Sequence, residues 1–302
     1  MLQLSLMLLL VLAAWIPGTA WSEKIEDIGS LISKDTRLMV FSPHPDDESL
    51  GAAGLIQRVI KTGGSVKVVF MTNGDGFPEA VEMGDHISTP TARDYREYGE
   101  DRMEESREAL AVLGLKGNDV IFLRFPDGGL AALRSSHNGK KTYTSPTTME
   151  NRPSALSPVV PQAAYTAHGL QLEIERVLSD FRPNMLATSA PEDTHPDHAS
   201  THYFVKLAWK HLNKAHPEFK PKWLIFLIHY GEWPMTQGSG ISSKLYPPED
   251  HPHNEKWIPL ALTPEEAATK RKGLLEYQTQ MLVMGRYLLS FARSNELFRL
   301  DN

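Results

Sequence analysis

Ser42-Pro43-His44-Pro45-Asp46-Asp47-Glu48-Ser49 brings one imidazole and three carboxylates together, and Glu192-Asp193-Thr194-His195-Pro196-Asp197-His198 adds two imidazoles and three carboxylates. Acids crowded this closely repel one another unless a cation or solvent relieves them. Histidine with carboxylate suits zinc, and a catalytic site of that kind keeps three protein ligands and one open position. The chain contains no cysteine. Thiolate ligands, a cysteine nucleophile and a disulfide framework are therefore excluded, and any metal must be held by nitrogen and oxygen. A solvated turn would account for one such cluster alone, since acids with proline are common in loops and Asp47 or Glu48 would be favoured at a helix N-terminus. Two His-Pro-Asp clusters, each between a strand and the helix after it, make that account the weaker one.

The surrounding elements must place both clusters together. Leu38–Ser42 is a short apolar run broken at Pro43, after which Leu50, Leu55, Ile56, Val59 and Ile60 recur at helical spacing towards Thr62. Gly63-Gly64 ends that helix, and the β-branched run Val66–Met71, closed by Asn73-Gly74-Asp75-Gly76, completes a βαβ unit. Helices are expected over 95–113, 169–181 and 201–212, and strands over 120–123, 185–188 and 223–229, the last helix and strand closing the series. This alternation predicts an α/β fold, Rossmann-like and doubly wound, with a mostly parallel sheet, helices on both faces and a single domain over 21–302. Both clusters then leave the carboxyl edge, where open α/β sheets bind ligands. Two stretches interrupt the pattern: 134–166, rich in Ser, Thr, Pro and Asn, and 233–257, rich in Pro, Gly, His and Ser. Long irregular stretches are either functional or mobile, and these two, following strands, are candidate walls of a substrate cleft.

Taken jointly, His44-Pro45-Asp46-Asp47-Glu48 and Asp193-Thr194-His195-Pro196-Asp197-His198 resemble the motifs of the LmbE/PIG-L zinc-dependent deacetylases, which include N-acetylglucosaminyl deacetylases. The resemblance runs from about Thr36 through the helix after His198 and more loosely over Lys272–Gln280, and it leaves out the two long stretches. It implies Zn2+ held by His44, Asp47 and His198, with Asp46 as general base, His195 polarising the substrate carbonyl and Asp197 assisting it. Arg102 resembles a family arginine that contacts substrate, although an arginine on an amphipathic helix is commonly a salt-bridged face. Asp127, in Pro126-Asp127-Gly128-Gly129, resembles a substrate-side aspartate and is also good turn chemistry. Amide hydrolysis asks for the same division of labour: a water made nucleophilic, a base for its proton, and positive charge where the oxyanion develops. A protonated His195 could stabilise that oxyanion and then donate to the leaving amine. The expected activity is therefore removal of an N-acetyl group from an amino sugar or N-acetylated glycan.

Other residues carry weaker signals. Asn73 and Asp75 read as a turn, and His137, His251 and His253 as exposed residues of the long stretches. Trp233, Tyr246 and Trp257 could stack on sugar rings or pin their loop to the core. A net charge of -6 offers no basic field for nucleic acid. The apolar run Leu2–Ile16 followed by Pro17-Gly18-Thr19-Ala20 reads as a signal peptide over 1–20. That implies a secreted or periplasmic protein with no stable membrane span after cleavage near Trp21, an uncleaved anchor being the alternative. A non-catalytic carbohydrate-binding module on the same scaffold is the competing function, and it would not require Asp46. A nucleotide-binding reading needs a glycine-rich first turn, whereas Pro-His-Pro-Asp-Asp would repel a pyrophosphate.

Overall fold

The computed structural model of the chain describes residues 26–136, 139–153, 163–238, 240–253 and 256–301. The expected leader at 1–20, its cleavage point and His137 lie outside the described residues. Strands β1 (Arg37–Ser42), β2 (Ser65–Thr72), β3 (Val120–Phe125), β4 (Met185–Ser189) and β5 (Lys222–Phe226) run parallel, and β6 (Ile258–Ala261) and β7 (Asn295–Leu300) follow. Together they form a seven-stranded sheet of order β3-β2-β1-β4-β5-β7-β6, in which β7 is antiparallel to both its neighbours. The helices are α1 (Asp47–Lys61), α2 (Pro78–Asp85), α3 (Ala92–Val112), α4 (Leu130–Ser135), α5 (Ala167–Phe181), α6 (Pro196–Ala215), α7 (Pro264–Leu275) and α8 (Gln278–Ser290).

Period-two alternation divides the core into two layers. Leu38 and Val40 of β1 pack on one face with Leu55 and Ile56 of α1, Leu110 of α3 and Leu274 of α7. Met39 and Phe41 pack on the other with Leu170 and Ile174 of α5 and Phe204 and Val205 of α6. The chain leaves β1 towards β2 on one side, while β4 pairs with β1 on the other, with Phe41 beside Thr188 at their carboxyl ends. That change of direction is a topological switch point, where the loops after two adjacent strands part and leave a crevice. The clusters beginning at His44 and Asp193 are those two loops.

Three expectations need correcting. The sheet does not close with β5 but continues through β6 and β7. The run Asn295–Leu300 sets the adjacent Leu297 and Phe298 between Glu296 and Arg299, whose charges are buried and paired with Lys270 at 2.8 Å and Glu192 at 2.9 Å. Helix α6 begins at Pro196 rather than near Thr201, because proline suits the first helical position and His195 caps the end by accepting the Asp197 N–H. His251 is buried rather than exposed, packed between Tyr230 and Trp257 with Nδ1 accepting the His253 N–H at 3.1 Å. His253 is half-buried and lies 3.3 Å from Glu192. Trp233 is buried against Phe291 and donates its indole N–H to Tyr246 O, so it pins the loop, while Tyr246 stays exposed. No helix among the described residues is long and apolar enough to cross a membrane.

Candidate active site

Asp46 sits at the mouth of β1 as the N-cap of α1, with φ 111°, a conformation that costs a non-glycine residue of order 1–3 kcal/mol. Its surroundings hold it there. Ser42 Oγ donates to His44 O at 2.7 Å and accepts the Glu48 N–H at 3.0 Å, closing the turn. Arg102, buried on α3, donates through Nη2 to Pro45 O at 2.6 Å and to Asp46 Oδ2 at 3.2 Å, and through Nη1 to Gly74 O at 2.8 Å. Gly74 has φ 69°, and a Cβ there would stand 2.0 Å from Arg102 Nη1, so only glycine fits beneath the guanidinium. Asn73 and Asp75 flank it in the expected turn. Asp75 is nonetheless buried, and its carboxyl is pushed up to about 7 by burial and then by Asp127 and Glu150.

His44 Nδ1, Asp47 Oδ2 and His198 Nε2 form a triangle with separations of 3.1 Å, 3.1 Å and 3.2 Å. Tetrahedral zinc with bonds of ~2.0–2.1 Å holds its ligand atoms roughly 3.3 Å apart, so the donor set fits such an ion. His198 is oriented from behind: its Nδ1 lies 3.1 Å from Asp193 Oδ2, the arrangement that fixes the tautomer of a metal-binding histidine. Asp193 opens the second motif five residues before His198, and its type and spacing alone do not mark this role. Burial disfavours the Asp47 carboxylate, but the His198 and His44 rings outweigh it and hold Asp47 well below the usual carboxylate range. Burial likewise opposes a charged His198, yet Asp193 and Asp47 raise it to about 10. A divalent cation would take the place of that proton, and its binding would release protons.

His44 Nε2 faces Asp127 Oδ1 at 3.1 Å and Asp197 Oδ2 at 3.5 Å, without hydrogen-bond alignment to either. Asp127 Oδ2 accepts the Gly76 N–H at 2.7 Å, while the Asp197 carboxylate accepts from Gly128 N at 2.8 Å and Leu130 N at 3.0 Å. The Asp197 carboxylate thus fastens the Asp127 turn, and what reaches His195 is the Asp197 backbone N–H, 3.3 Å from Nδ1. Burial, then the neighbouring His44, His198 and His229 rings, push His195 down to about 3. That direction favours the neutral ring, and with Nδ1 accepting the Asp197 N–H the proton of a neutral ring lies on Nε2. Asp46 moves the opposite way: burial and then Asp47 raise it well above the usual carboxylate range, against the pull of Arg102.

A cavity of about 300 Å³ opens over these groups, with Asp46, Arg102, Asp127 and His195 in its wall. His229, Gln280, Met284 and Tyr287 line it as well. His229 ends the strand expected over 223–229, while Gln280, Met284 and Tyr287 lie on α8, of which only Gln280 falls in the loosely resembling Lys272–Gln280. Each is a single residue without motif context. His229 arrives directly behind β5, whereas Gln280, Met284 and Tyr287 are brought by α8, which lies between β6 and β7 in the chain.

The family described as PIG-L, GlcNAc-PI de-N-acetylase, matches residues 39–209, which include every residue of both motifs. A 1D-myo-inositol 2-acetamido-2-deoxy-alpha-D-glucopyranoside deacetylase of Rhodococcus opacus is 28% identical over 217 residues, covering 70% of this chain and 65% of its own. A protein of the same name from a Mycobacterium species, strain KMS, is 26% identical over 228 residues, covering 75% and 62%. The chain thus spans just under two thirds of the length of either relative. In fold, it resembles N,N'-diacetylchitobiose deacetylase from Pyrococcus horikoshii, with a TM-score of 0.53 and 15% identity over 88% of this chain and 84% of that one. A deacetylase of the teicoplanin biosynthetic pathway, a triple mutant, superposes with a TM-score of 0.56 and 16% identity over 88% and 97%. With its two motifs meeting at the switch point and the family match covering more than half of its length, the chain belongs to the PIG-L family.

Proposed function

We propose that this protein is a zinc-dependent hydrolase that removes the acetyl group from an N-acetylated amino sugar. The observation that carries the reading is the triangle of His44 Nδ1, Asp47 Oδ2 and His198 Nε2, with Asp46 beside it in the wall of the same cleft. The names of the relatives, deacetylases of acetamido sugars, support the substrate class. Zinc at the triangle would supply a water ionised near neutral pH and positive charge for the carbonyl oxygen.

The chain's own residues do the rest. Asp46, whose affinity for a proton is raised by burial, accepts one from the attacking water as its oxygen bonds to the acetyl carbon. The same proton passes to the nitrogen as the C–N bond breaks, leaving acetate and the free amine. Arg102 keeps the Asp46 carboxylate turned into the cleft, and the Nε2–H of His195 is available to the carbonyl oxygen. A module that only bound carbohydrate would have no use for a strained, buried carboxylate beside three convergent ligand atoms.

Zinc content and acetate release, measured on the same samples, test this. Asp46→Asn is expected to retain zinc and lose at least ~10²-fold in turnover, the usual cost of a missing general base. His44→Ala, Asp47→Ala and His198→Ala are expected to lose metal and activity together. Near-normal turnover of Asp46→Asn, or full metal content in Asp47→Ala, overturns the assignment.

A further inference from the structure

Two imidazoles in the cleft wall present opposite hydrogen-bonding polarity, and their partners fix it. His195 Nδ1 accepts the Asp197 N–H, so its proton lies on Nε2. His229 is set the other way round. The single hydroxyl proton of Tyr287 goes to Ile228 O at 2.8 Å, while the hydroxyl oxygen lies 3.1 Å from His229 Nδ1. A carbonyl can only accept, so the arrangement that satisfies both contacts has His229 donating Nδ1–H to the tyrosine oxygen. The lone pair is then on Nε2. Tyr287 stacks on the imidazole with centroids 5.5 Å apart and planes 6° from parallel, holding the ring in place. Both rings line the cleft with centroids 5.4 Å apart, and both touch His198.

A donor and an acceptor side by side on one wall cannot take both polar atoms of a single acetamido group, because in a trans amide C=O and N–H point to opposite sides. The acceptor must meet a different donor near the carbonyl. In an N-acetylated sugar, that donor is a hydroxyl on a ring carbon next to the one bearing nitrogen. The geometry points to His229 as a specificity-determining residue whose Nε2 accepts a hydrogen bond from a hydroxyl vicinal to the acetamido group, while His195 faces the carbonyl oxygen. This rests on the deacetylation proposed above and narrows its substrates to acetamido sugars with that hydroxyl free. His229 and Tyr287 both lie outside the 39–209 family match, so the acceptor half of this wall comes from the part of the chain that the match does not cover, while His195 lies within it.

The test pairs enzyme and substrate changes on the zinc-loaded full chain, using a 2-acetamido-2-deoxyhexose and its 1-deoxy and 3-deoxy analogues. For the native protein, one of the two analogues is expected to lose roughly ten- to hundredfold in kcat/KM, because the His229 acceptor is left unpaired. In His229→Phe, which keeps a ring but no acceptor, the parent sugar should fall to the level of that analogue with zinc content unchanged. His229→Gln can place an amide oxygen near Nε2 and should restore part of the discrimination. Tyr287→Phe, which unlocks the tautomer without altering the ring of His229, should weaken discrimination and so tests the idea even if His229→Phe fails to fold. Discrimination undiminished in both His229→Phe and Tyr287→Phe overturns the inference, as does loss of zinc from His229→Phe, which would make His229 a metal ligand. Failure of the native protein to release acetate from any of the three sugars would instead overturn the deacetylation, and the inference with it.

Discussion

Asp193 makes more of the site than any residue that reaches the cleft. Its carboxylate accepts the backbone N–H groups of His195 at 2.9 Å, Ile228 at 3.1 Å and His229 at 3.0 Å and braces His198 Nδ1 at 3.1 Å. Removing such a partner of a metal-binding histidine typically costs ~10- to 100-fold in metal affinity. Asp193→Ala is expected to show that loss in a competition titration with a zinc chelator, and an unchanged affinity would remove Asp193 from the centre. At a different position, His202 is expected to make the fold sensitive to acid. Thr188 Oγ1 donates its proton to Ser189 O at 3.1 Å, so His202 Nδ1–H donates to Thr188 Oγ1, also at 3.1 Å, and burial pushes the ring down to about 4. Between the ordinary histidine value of about 6.5 and pH 4 the unfolded chain binds the extra proton and the folded chain does not, so stability falls as pH drops through that window. The full difference is of order 3 kcal/mol. Urea midpoints at pH 7, 5.5 and 4.5 should show His202→Asn, which keeps an N–H near Nδ1, losing less stability on acidification than the native protein. Parallel losses would contradict this account.

At the scale of elements, legibility in the sequence followed burial and motif. Strands β1, β2 and β4 could be read because central parallel strands are buried on both faces and become continuous apolar runs, such as Leu38-Met39-Val40-Phe41. The motifs behind β1 and β4 could be read because a His-Pro-Asp sequence is specific. What stayed hidden depended on long-range pairing. In β7, Glu296 and Arg299 look like surface residues until Lys270 and Glu192 are brought to them, and at the start of α6 the polar motif conceals the helical turn it already belongs to. Arg102 shows the same limit, since it could be recognised as a site residue while its acceptors at Gly74 and Pro45 could not be foreseen. Its planar fork serves acceptors in two loops and a carboxylate, a geometry that lysine cannot reproduce. Arg102→Lys is therefore expected to lose roughly 10²-fold in acetate release, the cost of a small misplacement of Asp46, while keeping its zinc. Activity within a few-fold of native would show that the brace is dispensable.

For the whole molecule, the decisive contact joins its two ends. Lys270 on α7 and Glu296 on β7 form a buried ion pair at 2.8 Å, and each also binds α1: Lys270 Nζ donates to Leu50 O, and Glu296 accepts the N–H groups of Gly54 and Leu55. Breaking one side of a buried pair leaves the other charge uncompensated at a cost of about 3–5 kcal/mol, so Glu296→Ala should lower the urea midpoint far more than any exposed substitution. Asp47 starts α1, so the helix that carries this proposed ligand is anchored by α7 and β7, which lie beyond the family-matched region. An expression clone ending at residue 215 would retain both motifs but leave β4 as an apolar edge with nothing paired beyond it. Such a clone should sediment in inclusion bodies, whereas one carried on to residue 302 stays in the supernatant. The two motifs alone are therefore no self-sufficient unit: a graft that moves them into another scaffold must bring α7 and β7 as well, since these hold α1 in place.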